Sequence, residues 1–243
     1  MSPVVSRGLA QISLEDPEFM RTLAEQAAGE LADAPAEEVI RWAADTFGNR
    51  ICVTSSMTDA VIIHLASAVQ PGIDVIFLDT GYHFAETLRF RRDVAARLDV
   101  TVVDVTPDLT VAEQDATYGA QLYARDPDTC CTLRKVFPLQ QALEPYDAWV
   151  SGVRRDESAS RAATPVVGWD AARGKVKINP LAAWTQEQVD TYAAVHGLRV
   201  NPLKQLGFAS IGCAPCTRAV APGEDPRAGR WAGFAKTECG LHR

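Results

Sequence analysis

The sequence predicts an α/β fold, a doubly wound and mostly parallel sheet followed by a loop-rich C-terminal segment and a mobile tail. Two observations predict the sheet. Short apolar runs bounded by turn residues alternate with amphipathic stretches through the first two thirds of the chain. Strands that alternate with helices need crossover connections, which place helices on both faces of a parallel sheet. A third observation predicts the rest: from Asn201 onward no regular period continues, and "APGEDPRAGRW" holds two prolines and two glycines.

The elements come in order along the chain. "AEEVIRWAADTF" sets Val39, Ile40, Ala43, Ala44 and Phe47 on one helical face, with Pro35 near its start and Gly48 after its end. "RICVTS" reads as a strand and "MTDAVIIHLASAV" as a helix ended by Pro71-Gly72. "DVIFLDTG" is a buried strand ending in a turn, "HFAETLRFRRDVAARL" a helix, "VTVVDVTP" a strand, and "DAWVSGVRR" another. "KVKINPL" reads as an edge strand. "TQEQVDTYAAVHG" is a helix with a Thr185/Gln188 capping box and Gly197 at its end. There is no internal repeat and no low-complexity tract.

With 243 residues, 47% of them hydrophobic and 23% charged, one large core is expected. The expected division is a helical extension over about 1–34, an α/β body over about 35–200, and a C-terminal segment over about 201–243. No run approaches the roughly eighteen apolar residues of a membrane span, and "MSPVVSRGLA" lacks the pattern of a signal peptide, so a cytoplasmic protein is expected. The net charge of −7 argues against nonspecific binding to nucleic acid or an acidic membrane. Its distribution is uneven: residues 1–124 hold 8 Lys and Arg against 19 Asp and Glu, residues 125–243 hold 16 against 12. An anionic ligand would find its cations in the second half.

In a reducing compartment six cysteines point to metal binding or catalysis rather than to disulfides. Their spacing divides them. Cys130 and Cys131 are adjacent, Cys213 and Cys216 form a C-x-x-C, Cys239 lies near the end, and Cys52 stands in an apolar run as a plain core residue. Four thiolates suit tetrahedral zinc or an iron-sulfur cluster, with buried reduced cysteines as the bland alternative. A tandem Cys-Cys makes a poor zinc knuckle, whereas a 4Fe-4S cluster accepts ligands at unequal spacing. Cys239, in "KTECGLHR", has the exposure and reach that a nucleophilic thiol needs, though an incidental tail cysteine would look the same.

Ligands of an open parallel sheet bind beyond the carboxyl ends of its strands. Ser55 and Ser56 in "TSSMTDA" lead toward a helix whose first amides can hold a phosphate, or merely cap it. In "GVRRDESASR", Arg154, Arg155 and Arg161 form either an oxyanion cluster or a solvated loop.

Taken together, "CCTLRKVFPL", "GCAPCTR", "GRW" and "TECGLH" resemble the cluster-containing, assimilatory adenylyl-sulfate reductase branch of the phosphosulfate reductases. "FLDTGYHFAET" and "VRRDESASR" are similar to the wider family, and the resemblance runs from about residue 35 to the end. It implies an adenine nucleotide alpha hydrolase-like fold and, in sulfate assimilation, reduction of adenosine 5′-phosphosulfate to sulfite and AMP. Thioredoxin is the implied electron donor and an enzyme S-sulfocysteine the implied intermediate. It carries 4Fe-4S ligation to Cys130, Cys131, Cys213 and Cys216, and the nucleophile to Cys239. It carries sulfate and phosphate contacts to Lys135, Arg154, Arg161, Arg227, Arg230 and His242. "TSSMTD" has no glycine where fold relatives often have a glycine-bearing phosphate loop, so Ser55, Ser56 and Asp59 rank below the arginines.

Three rival readings stand beside this one. A reductase for the 3′-phosphorylated nucleotide is the nearest, but its cluster-free members lack the two cysteine pairs. An ATP-dependent adenylyltransferase or tRNA-thiolating enzyme would favour an "SGGxDS"-type loop, which is absent. The third is a zinc-stabilised binding module. The pattern is compatible with a homo-oligomer and does not require one.

Overall fold

The structure, a computed structural model, describes residues 16–242. Residues 1–15 of the expected N-terminal extension, and Arg243, lie outside the described residues. The chain runs α1 (Pro17–Glu30), α2 (Ala36–Phe47), β1 (Ile51–Thr54), α3 (Val61–Val69), β2 (Ile73–Leu78), α4 (Ala85–Arg97) and β3 (Val100–Val105). It continues with α5 (Val111–Tyr118), α6 (Leu122–Arg125), α7 (Pro127–Cys131), a π-helical turn (Thr132–Val136), α8 (Phe137–Ala142) and β4 (Ala148–Ser151). After two 3₁₀ turns come β5 (Val167–Asp170), β6 (Lys175–Ile178) and α9 (Gln186–Val195), then 3₁₀ turns at Pro202–Leu206 and Ala214–Cys216.

The six strands form one sheet in the order β3-β2-β1-β4-β6-β5. All neighbours are parallel except β5 and β6. Side chains alternate along each strand, so its two faces bury different sets. Ile51, Val53, Val75, Phe77, Ala148 and Val150 meet the main core, to which α2 and α3 contribute Val39, Ile40, Phe47, Ile63 and Leu65. Cys52, Ile76 and Trp149 face the other way, where Leu139 of α8, Leu143 and Tyr146 cover them and Leu241 of the tail packs alongside. The second face is therefore completed in part by the C-terminal tail.

Three details differ from the sequence reading, the first being that α5 to α8 and the π-helical turn, between β3 and β4, are not anticipated by it. The "KVKINPL" strand is interior: β6 lies between β4 and β5, and the edge is β5, "VGWD". A four-residue strand containing glycine has too little alternation to announce itself; the β5–β6 hairpin, with Gly174 at φ +64°, places it there. The segment after Asn201 is loop-rich as expected, but contains the two short 3₁₀ turns.

Because β2 and β3 lie on one side of β1 and β4 on the other, strand order reverses between β1 and β4. A crevice opens there, beyond the strand ends.

Candidate functional site

That crevice is a cavity of about 490 Å³. Thr54 and Ser55 enter it from the end of β1, Leu78 and Thr80 from the end of β2, and Ser151 to Arg154 from the end of β4. The C-terminal segment roofs it with Ile211, Arg227 and Trp231. Every nominated ligand-contact residue lines it: Lys135, Arg154, Arg161, Arg227, Arg230 and His242, and also Ser55, Ser56 and Asp59. Cys239 lines it too.

Ser55 and Ser56 do not sit at a helix N-terminus as expected. α3 begins at Val61, six residues beyond Ser55, and its cap position is Ala60. Met57 adopts φ +57°, Ser55 Oγ accepts from Met57 N at 3.0 Å, and the chain then crosses to bridge Asp59 with Val200. Asp59 instead accepts from Val61 N at 3.0 Å at the start of α3, and burial raises its pKa. Without a glycine loop, the turn after β1 is built from side-chain bonds.

The arginines are already engaged. Arg154 donates through Nε to Asp156 at 3.0 Å and through Nη2 to Gln186 at 2.8 Å. Arg161 grips Glu238 of the tail with two parallel bonds of 2.7 and 2.8 Å, and Glu157 with a third of 2.6 Å. Arg227 reaches Glu238 at 3.1 Å and the carbonyl of Thr237 at 2.7 Å. Arg230 differs: it donates to Ser210 Oγ at 3.2 Å, lies 4.5 Å from the Trp231 ring centre, and keeps a buried Nε without a partner. Its guanidinium packs so close to the backbone at Gly212 that a Cβ there would collide with it.

Cys130, Cys131, Cys213 and Cys216 line a second, smaller cavity, with Tyr82 and Lys135. Lys135 and Cys213 line both cavities. The adjacent Cys130 and Cys131 end α7, and the π-helical turn behind them carries Arg134 and Lys135 inward, both buried. Such a turn adds a residue to the helical repeat and re-aims the side chains beyond it. Burial alone would lower the Lys135 pKa, yet the sulfurs of Cys213, Cys239 and Cys131 raise it on balance, so Lys135 is a firm cation. Burial and the neighbouring thiols push Cys130 up to about 12. Cys213 is lowered despite its burial, because Lys135 and a bond from Thr80 Oγ1 at 3.3 Å favour its thiolate.

The donor chemistry fits an iron-sulfur group. Four thiols meet beside a fixed cation, and the Tyr82 hydroxyl is buried there with no partner. Among the described residues no three His, Cys, Asp or Glu are placed to hold a single metal ion. Four thiols around one cavity are the ligand number and type that an iron-sulfur group takes.

The tail ends on Trp149. His242 stacks on its indole with ring centres 5.8 Å apart, and His242 Nδ1 lies 3.1 Å from Lys177 Nζ. Burial first, and then Lys177 and nearby arginines, hold the His242 pKa well below the imidazole range. The imidazole is therefore neutral and accepts from Lys177. Sequence reasoning missed Trp149, Lys177 and Glu238 as parts of this site; the signal available for Glu238 was an acidic residue beside the tail thiol in an otherwise cationic half. Cys52, 0% exposed with a pKa raised by burial, is the core residue expected.

Residues 50–219 match the model of the phosphoadenosine phosphosulfate reductase domain. The chain is 63% identical to an adenosine 5′-phosphosulfate reductase of Streptomyces coelicolor, over 93% of this chain and 95% of that protein. It is 58% identical to one of Mycolicibacterium smegmatis, over 92% and 94%. Among solved structures it is similar to the phosphoadenylyl-sulfate reductase of Candida auris in a phosphate complex, with TM-score 0.68 and 30% identity over 81% of this chain and 96% of that one. The FMN adenylyltransferase of Candida glabrata, TM-score 0.51 at 14% identity over 82% of this chain and 74% of that one, shares the fold alone.

Proposed function

The chain belongs to the phosphoadenosine phosphosulfate reductase family, and from that premise we propose that it reduces adenosine 5′-phosphosulfate to sulfite and AMP in sulfate assimilation, with thioredoxin as electron donor. The observation that carries this reading is the shared wall of Lys135, which lines the cavity of Cys239 and the cavity of the four thiols at once. The names of the relatives favour the nucleotide without a 3′-phosphate. A single reductase domain in the cytoplasm is the matching assignment, and among the described residues no helix is long and apolar enough to cross a membrane.

In this mechanism the Cys239 thiolate attacks the sulfuryl sulfur, the bond from sulfur to the AMP phosphate oxygen breaks, and AMP leaves with the electron pair. The product is S-sulfocysteine. Lys135 and Arg230 hold the oxygens that gain charge, as fixed donors in a water-poor site. A thioredoxin thiolate then attacks the Cys239 sulfur and expels sulfite, and the second thioredoxin thiol resolves the mixed disulfide. Cys130, Cys131, Cys213 and Cys216 would hold a 4Fe-4S cluster, which supplies a structural and electrostatic element beside Lys135, since the two electrons come from thiols.

Incubation with adenosine 5′-phosphosulfate and no thioredoxin should release AMP once per chain and add a sulfonate to the C-terminal peptide. Cys239→Ser should keep its iron and its nucleotide binding and form no adduct. An adduct on Cys52 or a cluster cysteine, or turnover by Cys239→Ser, would sink the mechanism.

A further inference from the structure

Glu238 has no part in the chemistry above, yet it is the best-held residue of the tail. Among residues 232–242 it alone is buried, while Cys239 beside it is partly exposed. Its carboxylate takes the two parallel bonds of Arg161, a bond from Ser160 Oγ at 3.3 Å, and the Arg227 ion pair at 3.1 Å. Arg161 belongs to the loop after β4 and Arg227 to the C-terminal segment, so one carboxylate ties two walls of the cavity to the tail. A forked guanidinium bond fixes direction as well as distance.

On the far side of the thiol the anchor is apolar. Leu241 packs on the second core and His242 stacks on Trp149. Between the anchors Gly240 turns the chain at φ +87° and lies against Val136, the residue after Lys135. Cys239 is thus strung between an ionic mooring and an apolar one.

We propose that Glu238 is a positioning residue, whose hold on Arg161 and Arg227 seats the Cys239 thiol in the cavity. Its catalytic consequence rests on the reading of Cys239 as nucleophile; the seat itself does not. Arg161 and Arg227 line the cavity and carry positive charge, so an anionic substrate entering it meets the groups that hold the tail. Seating and substrate binding are therefore coupled through two side chains.

The test uses the full chain and three forms: wild type, Glu238→Gln and Glu238→Asp. Without substrate, iodoacetamide labelling of Cys239, followed by peptide mass, should run tenfold or more faster in Glu238→Gln, as loss of a buried charged bond implies. Glu238→Asp should stay closer to wild type, and melting temperature should be unchanged in both. With substrate, single-turnover adduct formation should slow about tenfold in Glu238→Gln, while dithiol-driven sulfite release from adduct already formed keeps its wild-type rate. Wild-type labelling in Glu238→Gln overturns the seat. A wild type that labels normally but forms no adduct overturns the reading of the activity and leaves the labelling arm to decide the seat.

Discussion

The α/β body and the C-terminal tail are held by different physics. In the body, backbone ladders, all but that of β5 and β6 parallel, fix each strand to its neighbours, and β2 and β3 alone pair six residues in register. The tail is held by side chains: Lys236 on Asp128, Glu238 on Arg161 and Arg227, His242 on Trp149 and Lys177. Loss of one bond from a ladder leaves many others, whereas loss of one carboxylate frees much of the tail. In the proposed reaction the body would stay closed while the tail leaves and returns, because the thiol would serve first a closed pocket and then a protein partner.

The largest effect should come from breaking the body. Leu65 of α3 is 1% exposed in the main core, on elements remote from the tail. Leu65→Ala should cost about 2–5 kcal/mol through lost burial and the cavity left behind, read as a lower melting temperature. The molecules that remain folded should label at Cys239 at the wild-type rate. Faster labelling comparable to that of Glu238→Gln would show that tail and body are one cooperative unit.

The same contrast explains what could be read from the sequence. Period-2 and helical patterns are local, so β1 to β4 and the helices α2, α3, α4 and α9 were legible, and so was the Thr185/Gln188 capping box, formed with bonds of 3.2 and 2.8 Å; the short helices α5 to α8 between β3 and β4, too brief to show a full helical period, were not. The two cysteine pairs were legible because spacing alone marks them, and all ten residues nominated for substrate contact or attack line one cavity. What escaped depends on partners distant in sequence. Glu238 is 77 residues from Arg161, the β5 edge is defined by β6, and the turn after β1 departs from a helix start because Asp59 pairs with Val200. No pattern within a window of a dozen residues carries such information.

A smaller effect is expected where body and tail meet. Lys135 is buried in the body yet faces Cys239 of the tail as well as Cys131 and Cys213. Lys135→Ala should lower kcat/KM tenfold or more, as loss of a charged hydrogen bond of about 1.5–3 kcal/mol implies, with labelling of Cys239 changed less than by Glu238→Gln. Near-wild-type kinetics with intact iron content would remove Lys135 from the reaction and weaken the case for a shared wall.

The smallest effect is a dependence of tail docking on pH. His242 is neutral when docked, because burial and then Lys177, Arg161, Arg173 and Arg227 lower its pKa well below the ordinary value. On a released tail the imidazole titrates near about 6.5. The released state therefore binds more protons than the docked one: docking is fully favoured above that value and weakens as pH falls through it. Between pH 7 and pH 6 the weakening should be about threefold for a single group of that pKa. The measurement is the Cys239 labelling rate divided by that of the free peptide KTECGLHR, which cancels the titration of the thiol itself. Glu238 cannot mimic the effect, since Arg161 and Arg227 outweigh its burial and hold its pKa below the usual carboxylate value, which moves its own contribution to a more acid range. His242→Asn should label faster at every pH and lose the slope between pH 7 and 6. A flat wild-type ratio, or an equal slope in His242→Asn, would mean that the stack on Trp149 does not govern docking and that the ionic mooring at Glu238 acts alone.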